Sequence, residues 1–169
     1  MSYPDENRPI LEIPKDRNDI IIEYLTLILL ILIIVNMASS YGSLSDSIPS
    51  HMNIKDEIDG YSHKSMLWVI IGILMLTVSF NHFLQSIPHR FNYMVKITKD
   101  NAMQQYASAI KMMKWLNLSI VLLFSMIILK FIDLDGKHFF TPPTWIIWFL
   151  CLVMIILPFY FIYKTSVSK

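Results

Sequence analysis

Residues 20–38, which read IIIEYLTLILLILIIVNMA, decide the fold class, because they form an almost unbroken apolar run of 19 residues. A helix needs about 20 apolar residues to cross roughly 30 Å of hydrocarbon at a rise of about 1.5 Å per residue. The residues before the run, DENRPILEIPKDRND, carry at least as many acidic as basic side chains, unlike the basic start of a signal peptide. We therefore expect this run to be a retained membrane span.

Three further apolar runs and the overall composition support the same class. Hydrophobic residues make up 54% of the 169-residue chain and charged residues only 16%, whereas soluble domains carry roughly 25% charged residues. The sequence predicts an all-α integral membrane protein with four helices. The predicted segments are a tail at 1–19, spans at 20–38, 66–86, 113–132 and 144–163, connections at 39–65, 87–112 and 133–143, and a tail at 164–169.

The distribution of Lys and Arg predicts the orientation. Basic residues concentrate in the N-terminal tail, in connection 87–112 and at the C-terminus, and such segments usually face the cytoplasm. We therefore expect both termini in the cytoplasm and connections 39–65 and 133–143 outside. A net charge of +1 gives no reason to expect a nucleic-acid partner. The expected partners are the lipid bilayer and a membrane or cytoplasmic protein.

No enzyme motif or cofactor site is recognisable. The single cysteine, Cys151, excludes an intrachain disulfide and cysteine-based zinc motifs. Phosphate-binding loops, nucleophile elbows and HExxH patterns are all missing from the sequence. We predict no cofactor and favour a non-enzymatic protein.

The polar stretch 48–64, IPSHMNIKDEIDGYSHK, is the candidate ligand site of the outer connection. Its imidazole, amide and carboxylate groups could bind a cation or a polar headgroup. The alternative is that His51 and Asn53 bond to the loop's own backbone while Lys64 lies beside Asp59. The candidate ligand-binding residues are Pro49, His51, Asn53, Asp59 and Lys64.

A metal site is a second possibility for the same region. His51, Asp59 and His63, with His138 from the next outer connection, are candidate ligands. Three such groups could hold zinc and leave one position open. Their mutual geometry is not determined by the sequence.

Connection 87–112 is predicted to contain an amphipathic helix. Ala102, Tyr106 and Ile110 recur at helical spacing, and Asp100 could cap the helix start. The helix could lie in the membrane interface or extend the third span. A partner-docking face is the less favoured alternative.

Two blocks of this sequence resemble the domain of unknown function 1648 family of small bacterial membrane proteins. Stretch 48–64 is similar to the family signature IPxHxNxxGxxDxxxxK, departing from it at Asp56 and Ile58. The block FNYMVKITKDNAMQQY, residues 91–106, resembles a second family segment, with Met94 where proline is usual. The residues that we carry over from this cytoplasmic motif are Phe91, Asn92, Tyr93, Lys96, Thr98, Asn101 and Tyr106.

The resemblance implies a role in the bacterial cytoplasmic membrane. Relatives include immunity proteins that protect a cell from a secreted sporulation-delaying toxin and signal by sequestering a transcriptional repressor. This chain is smaller than those proteins and lacks their additional spans. The resemblance implies an outer loop that senses or excludes a ligand and a cytoplasmic face that engages a partner.

Three functions are therefore open. The first is a non-enzymatic module for recognition, immunity or signalling, and the second is a metal-binding membrane enzyme. The third is an accessory subunit of a transport complex, because the spans carry several polar residues. Against transport, Glu23 is the one carboxylate within the four predicted spans. We therefore expect no series of buried carboxylates that could form an ion or proton path.

Overall fold

A computed structural model describes residues 8–53, 55, 57–134 and 143–167. Four helices in this part of the chain are long and apolar enough to cross a membrane, which confirms the predicted number of such helices. They are α1 (Arg17–Tyr41), α2 (Met66–Leu84), α3 (Ala102–Leu134) and α4 (Thr144–Val167). A short 3₁₀ helix, Pro88–Arg90, follows α2.

The all-α prediction is incomplete, because the connection between α1 and α2 contains a small antiparallel sheet. Strand β1 (Ser47–Met52) pairs with strand β2 (Ile58–His63). Ile48 of β1 is fully buried in the main apolar core together with Met37 of α1 and Leu67 of α2. The hairpin is therefore anchored to the helices by an apolar side chain at its base.

Helix α3 is the centre of the bundle, and α1, α2 and α4 all pack against it. The core lies mainly between α1, α2 and α3, whereas α4 keeps most of its apolar surface exposed. Exposed apolar side chains on the outer faces are expected where a helix contacts lipid rather than water.

The helices run up and down, so the chain has two distinct ends. Arg8 Nη1 donates a hydrogen bond of 2.6 Å to Phe91 O, and Gln105 Nε2 donates one of 3.1 Å to Thr165 O. The start of α1, the α2–α3 connection and the end of α4 therefore meet at one end, which we call the tail end. The opposite end, which carries β1 and β2, is the hairpin end. That the tail end faces the cytoplasm remains a prediction from the charges.

The amphipathic stretch of connection 87–112 forms the first turns of α3 rather than a separate helix. The 33 residues of α3 correspond to a length of about 50 Å, more than the bilayer core requires. The predicted cap by Asp100 was wrong. Asn101 N donates to Thr98 Oγ1 at 3.3 Å and Thr98 N donates to Asn101 Oδ1 at 2.8 Å, the reciprocal pattern of a capping box.

Candidate functional site

The hairpin is irregular on both sides of His51. Pairing runs from Pro49 with Tyr61 to His51 with Gly60, so one extra residue lies on β1. It then runs to Met52 with Ile58, so Asp59 is the extra residue on β2. Such bulges redirect side chains and are frequent beside functional sites.

The two bulges bring His51 and Asp59 together. His51 Nδ1 donates a hydrogen bond to Asp59 Oδ1, and both side chains are largely exposed. An ionised carboxylate can only accept, so the bond selects the tautomer in which Nδ1 carries the proton. Nε2 is the acceptor of this tautomer. His51 and Asp59 were both predicted from the sequence as residues of one site, and the structure brings them into contact.

Asn53 organises the tip of the hairpin. Its Oδ1 accepts hydrogen bonds from Lys55 N at 2.8 Å and Glu57 N at 3.1 Å, and its Nδ2 donates to Glu57 Oε2 at 2.7 Å. Asn side chains commonly close turns in this way. Asn53 therefore forms hydrogen bonds within its own loop, which was the alternative to ligand binding.

Lys64 lies at the base of the hairpin and pairs with Asp46 rather than with Asp59. Its Nζ is 3.1 Å from Asp46 Oδ1 and donates to Leu44 O at 3.1 Å. It also lies 5.3 Å from the centre of the Tyr41 ring. The hydrogen bond from Lys64 lowers the pKa of the Asp46 carboxyl. Lys64 thus ties the hairpin to the end of α1.

A cavity of about 750 Å³ lies beside His51 and Asn53 at the hairpin end. Its walls come from three places, namely β1, the last turns of α3 and the first turns of α4. Trp145 and Trp148 form an aromatic wall, and buried Lys130 hydrogen-bonds to Thr144 Oγ1 within the same lining. A volume in this range is typical of small-ligand sites. The arrangement combines apolar rings, a cation and an imidazole, which suits an amphipathic ligand.

The cavity lining includes residues that sequence reasoning missed. Trp145 and Trp148 are three residues apart, a spacing that puts two side chains on the same helix face. That spacing was readable, but nothing in the sequence indicated that this face would turn toward the hairpin. Pro49 is buried in β1, pairs with Tyr61 and does not line the cavity.

The metal candidates do not come together in the described part of the chain. His63 Nδ1 hydrogen-bonds with Ser65 Oγ at 2.9 Å rather than joining His51 and Asp59. Within residues 8–53, 55, 57–134 and 143–167, no three His, Cys, Asp or Glu side chains form a group that could hold a metal ion. His138 lies outside the described residues.

The side chains of motif 91–106 mostly form internal contacts of the tail end. Tyr93 OH donates to Pro88 O at 2.9 Å, its ring lies 5.7 Å from that of buried Tyr106, and burial raises its pKa. Arg8 lies 5.8 Å from the Tyr93 ring and bonds to Phe91 O. Asn101 Nδ2 donates to Lys96 O at 3.0 Å. These contacts form a small second core around Ile97, Ala102 and Tyr106.

Some motif side chains remain available on the surface. Asn92, Lys96 and Thr98 are exposed, whereas Asn101 is half-buried. The motif therefore combines a structural inner layer with a polar outer surface.

Comparison with known proteins supports the family resemblance over part of the chain. The family model of the domain of unknown function 1648 matches residues 27–76. That range runs from within α1 through the hairpin to the middle of α2, and it contains the whole of stretch 48–64. The second motif, 91–106, lies outside it. No curated protein and no solved structure matches this chain significantly.

Proposed function

We propose that this chain is a non-enzymatic bacterial membrane protein that recognises an amphipathic ligand, such as a secreted toxin peptide, at its hairpin end. The supporting observation is the His51–Asp59 pair, which the two bulges position at the cavity walled by Trp145 and Trp148. Recognition rather than metal chemistry fits this site, because the His51–Asp59 pair has no third metal-ligating side chain beside it among the described residues.

The proposed mechanism follows from the lining of the cavity. Apolar parts of a ligand would pack on the two indole rings, which bury large areas at low entropy cost. A carboxylate or backbone carbonyl of the ligand would meet Lys130, and a donor group would meet His51 Nε2. The hairpin end faces outward in the predicted orientation. Immunity would then follow from capturing the toxin before it disrupts the membrane.

The tail end would carry any signal to the cytoplasm. The exposed part of motif 91–106 lies in the connection that leads directly into α3, and this helix contributes Lys130 and Phe131 to the cavity. One continuous helix therefore connects the proposed ligand site with the proposed partner surface.

A protection assay tests this function. A toxin-sensitive bacterium would express the chain and be challenged with purified sporulation-delaying toxin and with other secreted amphipathic peptides. We expect the wild type to restore growth against at least one peptide. His51→Ala and Trp148→Ala should lose most of that protection at equal membrane abundance.

His63→Ala is the matched control, because His63 belongs to the same hairpin but does not line the cavity. It should protect like the wild type. Full protection by His51→Ala would show that the hairpin is not the recognition site. Failure of the wild type against every peptide would contradict the immunity function, and equal loss in His51→Ala and His63→Ala would instead favour the metal hypothesis.

A further inference from the structure

An ion-pair network joins the start of α1 to the N-terminal half of α3 at the tail end. Lys114 is only 3% exposed, and its Nζ lies 3.0 Å from Glu23 Oε1 and 3.7 Å from Asp19 Oδ1. The 3.0 Å contact is an ion pair whose angle is not that of an aligned hydrogen bond. Glu23, which looked isolated in the sequence, therefore has Lys114 and Lys15 as partners.

The network is electrically balanced. Lys111 pairs with Asp16 at 2.6 Å, beside the Lys114 group. The network thus contains three lysines and three carboxylates, which sum to zero charge. They are Lys15, Lys111, Lys114, Asp16, Asp19 and Glu23.

Beside this network lies a second cavity, of about 690 Å³, between α1 and α2 with α3 as its floor. It exists because α1 and α2 both pack on α3 but make few direct contacts with each other. One part of the lining is apolar, with Leu30 and Val78. Another part is polar and is formed by Lys15, Glu23, Ser79, His82, Gln85, Lys114 and Asn117. Tyr24 and Leu27 of α1 line the cavity and are exposed on the outer face of the bundle.

Asn117 supplies the decisive observation. It is only 6% exposed, it lines this cavity, and its Oδ1 accepts no hydrogen bond from any described residue. Buried acceptors almost always have a partner, and leaving one without is costly. Asn117 lies within the third predicted span and Glu23 within the first. At the depth of the predicted spans, the cavity therefore presents the Asn117 acceptor beside a carboxylate that is already paired with Lys15 and Lys114.

We propose that this cavity binds a zwitterionic phospholipid whose headgroup ends in a primary ammonium. The ammonium would donate to Asn117 Oδ1 and lie close to the Glu23 carboxylate. An acyl chain would follow the apolar lining past Leu30 and Val78 toward the exposed edge at Tyr24 and Leu27. The mixed lining, open toward the lipid-facing surface, selects a lipid over a soluble amine.

The charge balance selects the headgroup class. Because the network is neutral without a ligand, a net-neutral headgroup adds no uncompensated charge, whereas an anionic lipid would bring one next to Glu23 and Asp19. Phosphatidylethanolamine has three N–H donors on its ammonium. Phosphatidylcholine has the same net charge but none, so the two lipids isolate the role of donation to Asn117.

The test is native mass spectrometry of the purified full chain in mild detergent, titrated with these two lipids and with phosphatidylglycerol, all carrying identical acyl chains. We expect phosphatidylethanolamine to bind about tenfold more tightly, the effect of one charge-assisted hydrogen bond. Asn117→Leu should reduce the preference to near unity. Ser125→Ala is the control, since Ser125 is a buried polar residue of α3 outside this cavity, and it should keep the preference.

The wild-type comparison needs no variant and so does not depend on whether Asn117→Leu folds. Equal binding of the two lipids, or tighter binding of phosphatidylglycerol, would overturn the proposal. An unchanged preference in folded Asn117→Leu would do the same. Displacement of the lipid by equimolar glycerophosphoethanolamine would overturn the assignment of a lipid rather than a soluble amine. These outcomes are independent of the hairpin site, which lies at the other end of the bundle.

Discussion

Gly60 lies directly opposite His51 in the hairpin, and a Cβ atom on Gly60 would come within 2.9 Å of the His51 Cβ. Real side chains do not approach this closely, so only glycine fits at this position without displacing its neighbour. The close approach occurs between the two bulges that bring His51 to Asp59. The absence of a side chain at position 60 is therefore part of how the candidate site is built.

Gly60→Ala should displace His51 and weaken the hairpin. Forcing an extra methyl group into a tight contact costs about 1–3 kcal/mol in well-packed regions, and we expect the lower end here because His51 is exposed. Hydrogen–deuterium exchange of strands β1 and β2 would report the change. Gly72→Ala in α2 is the control, because nothing lies within 4 Å of a Cβ there. Unchanged exchange in Gly60→Ala would contradict this expectation, because it would show that the hairpin accommodates the methyl group without losing stability.

The helices were readable from the sequence and the hairpin was not. Runs such as 20–38 are apolar all round, and no water-exposed structure tolerates them, so the helix prediction rests on solvation alone. Strand β1 has the buried pair Ile48 and Pro49 and then mixed exposure, so it lacks the alternation that predicts a strand. Its pairing depends on Ile48 entering a core formed by α1, α2 and α3, which is a tertiary contact.

The candidate site was predictable only in part, for a similar reason. Sequence spacing placed His51 and Asp59 in one segment, but both bulges were needed to pair them. Lys64 was expected near Asp59, yet Asp46 is closer to it because Lys64 follows β2 and returns to the end of α1. Trp145 and Trp148 come from more than 80 residues away along the chain, so no local pattern could have connected them with the hairpin.

Replacing Lys64 should raise the pKa of Asp46. The hydrogen bond from Lys64 holds this pKa below its usual value of 3.8. Because the folded-state pKa is the lower one, the ionised pair favours the folded hairpin fully above about pH 4. That contribution is lost as the pH falls through the folded-state pKa. A carboxyl NMR titration of Asp46 should shift upward in Lys64→Met, and no shift would show that the pair has no influence in solution.

High salt provides the control for this pair. Asp46 is mostly exposed, so its attraction to Lys64 should weaken when ions screen it over a Debye length of about 3 Å at 1 M. The wild-type pKa should therefore move toward 3.8 in high salt. In Lys64→Met the same salt increase should change it less.

Thr98→Ala should weaken the start of α3, whereas Asp100→Ala should not. Thr98 Oγ1 accepts from Asn101 N, and no such bond to Asp100 occurs among the described residues. Loss of a capping side chain typically costs about 1 kcal/mol, and exposed positions without such a role change stability by less than about 0.5 kcal/mol. Exchange rates of the first amides of α3 distinguish the two variants. Faster exchange in Asp100→Ala than in Thr98→Ala would instead show that Asp100 caps the helix, as the sequence predicted.

Lys114→Met should be the most destabilising of these substitutions. Lys114 is almost fully buried between Asp19 and Glu23, and removing one partner of a buried ion pair typically costs about 3–5 kcal/mol because the other charge is left uncompensated. Reversible unfolding in mixed micelles of dodecyl maltoside and SDS would measure the loss. Lys15→Met should cost less than about 1 kcal/mol, since Lys15 reaches Glu23 from an exposed position.

Adding Glu23→Gln to Lys114→Met distinguishes charge from packing as the cause. If the uncompensated Glu23 carboxylate is what destabilises Lys114→Met, the double variant should recover about 1–2 kcal/mol, a coupling of the size found for residues in one network. Recovery should be incomplete, because the Asp19 carboxylate still lies beside position 114. If the double variant instead loses the sum of the two single effects, Lys114 stabilises the α1–α3 contact through its hydrocarbon stem and not through its charge.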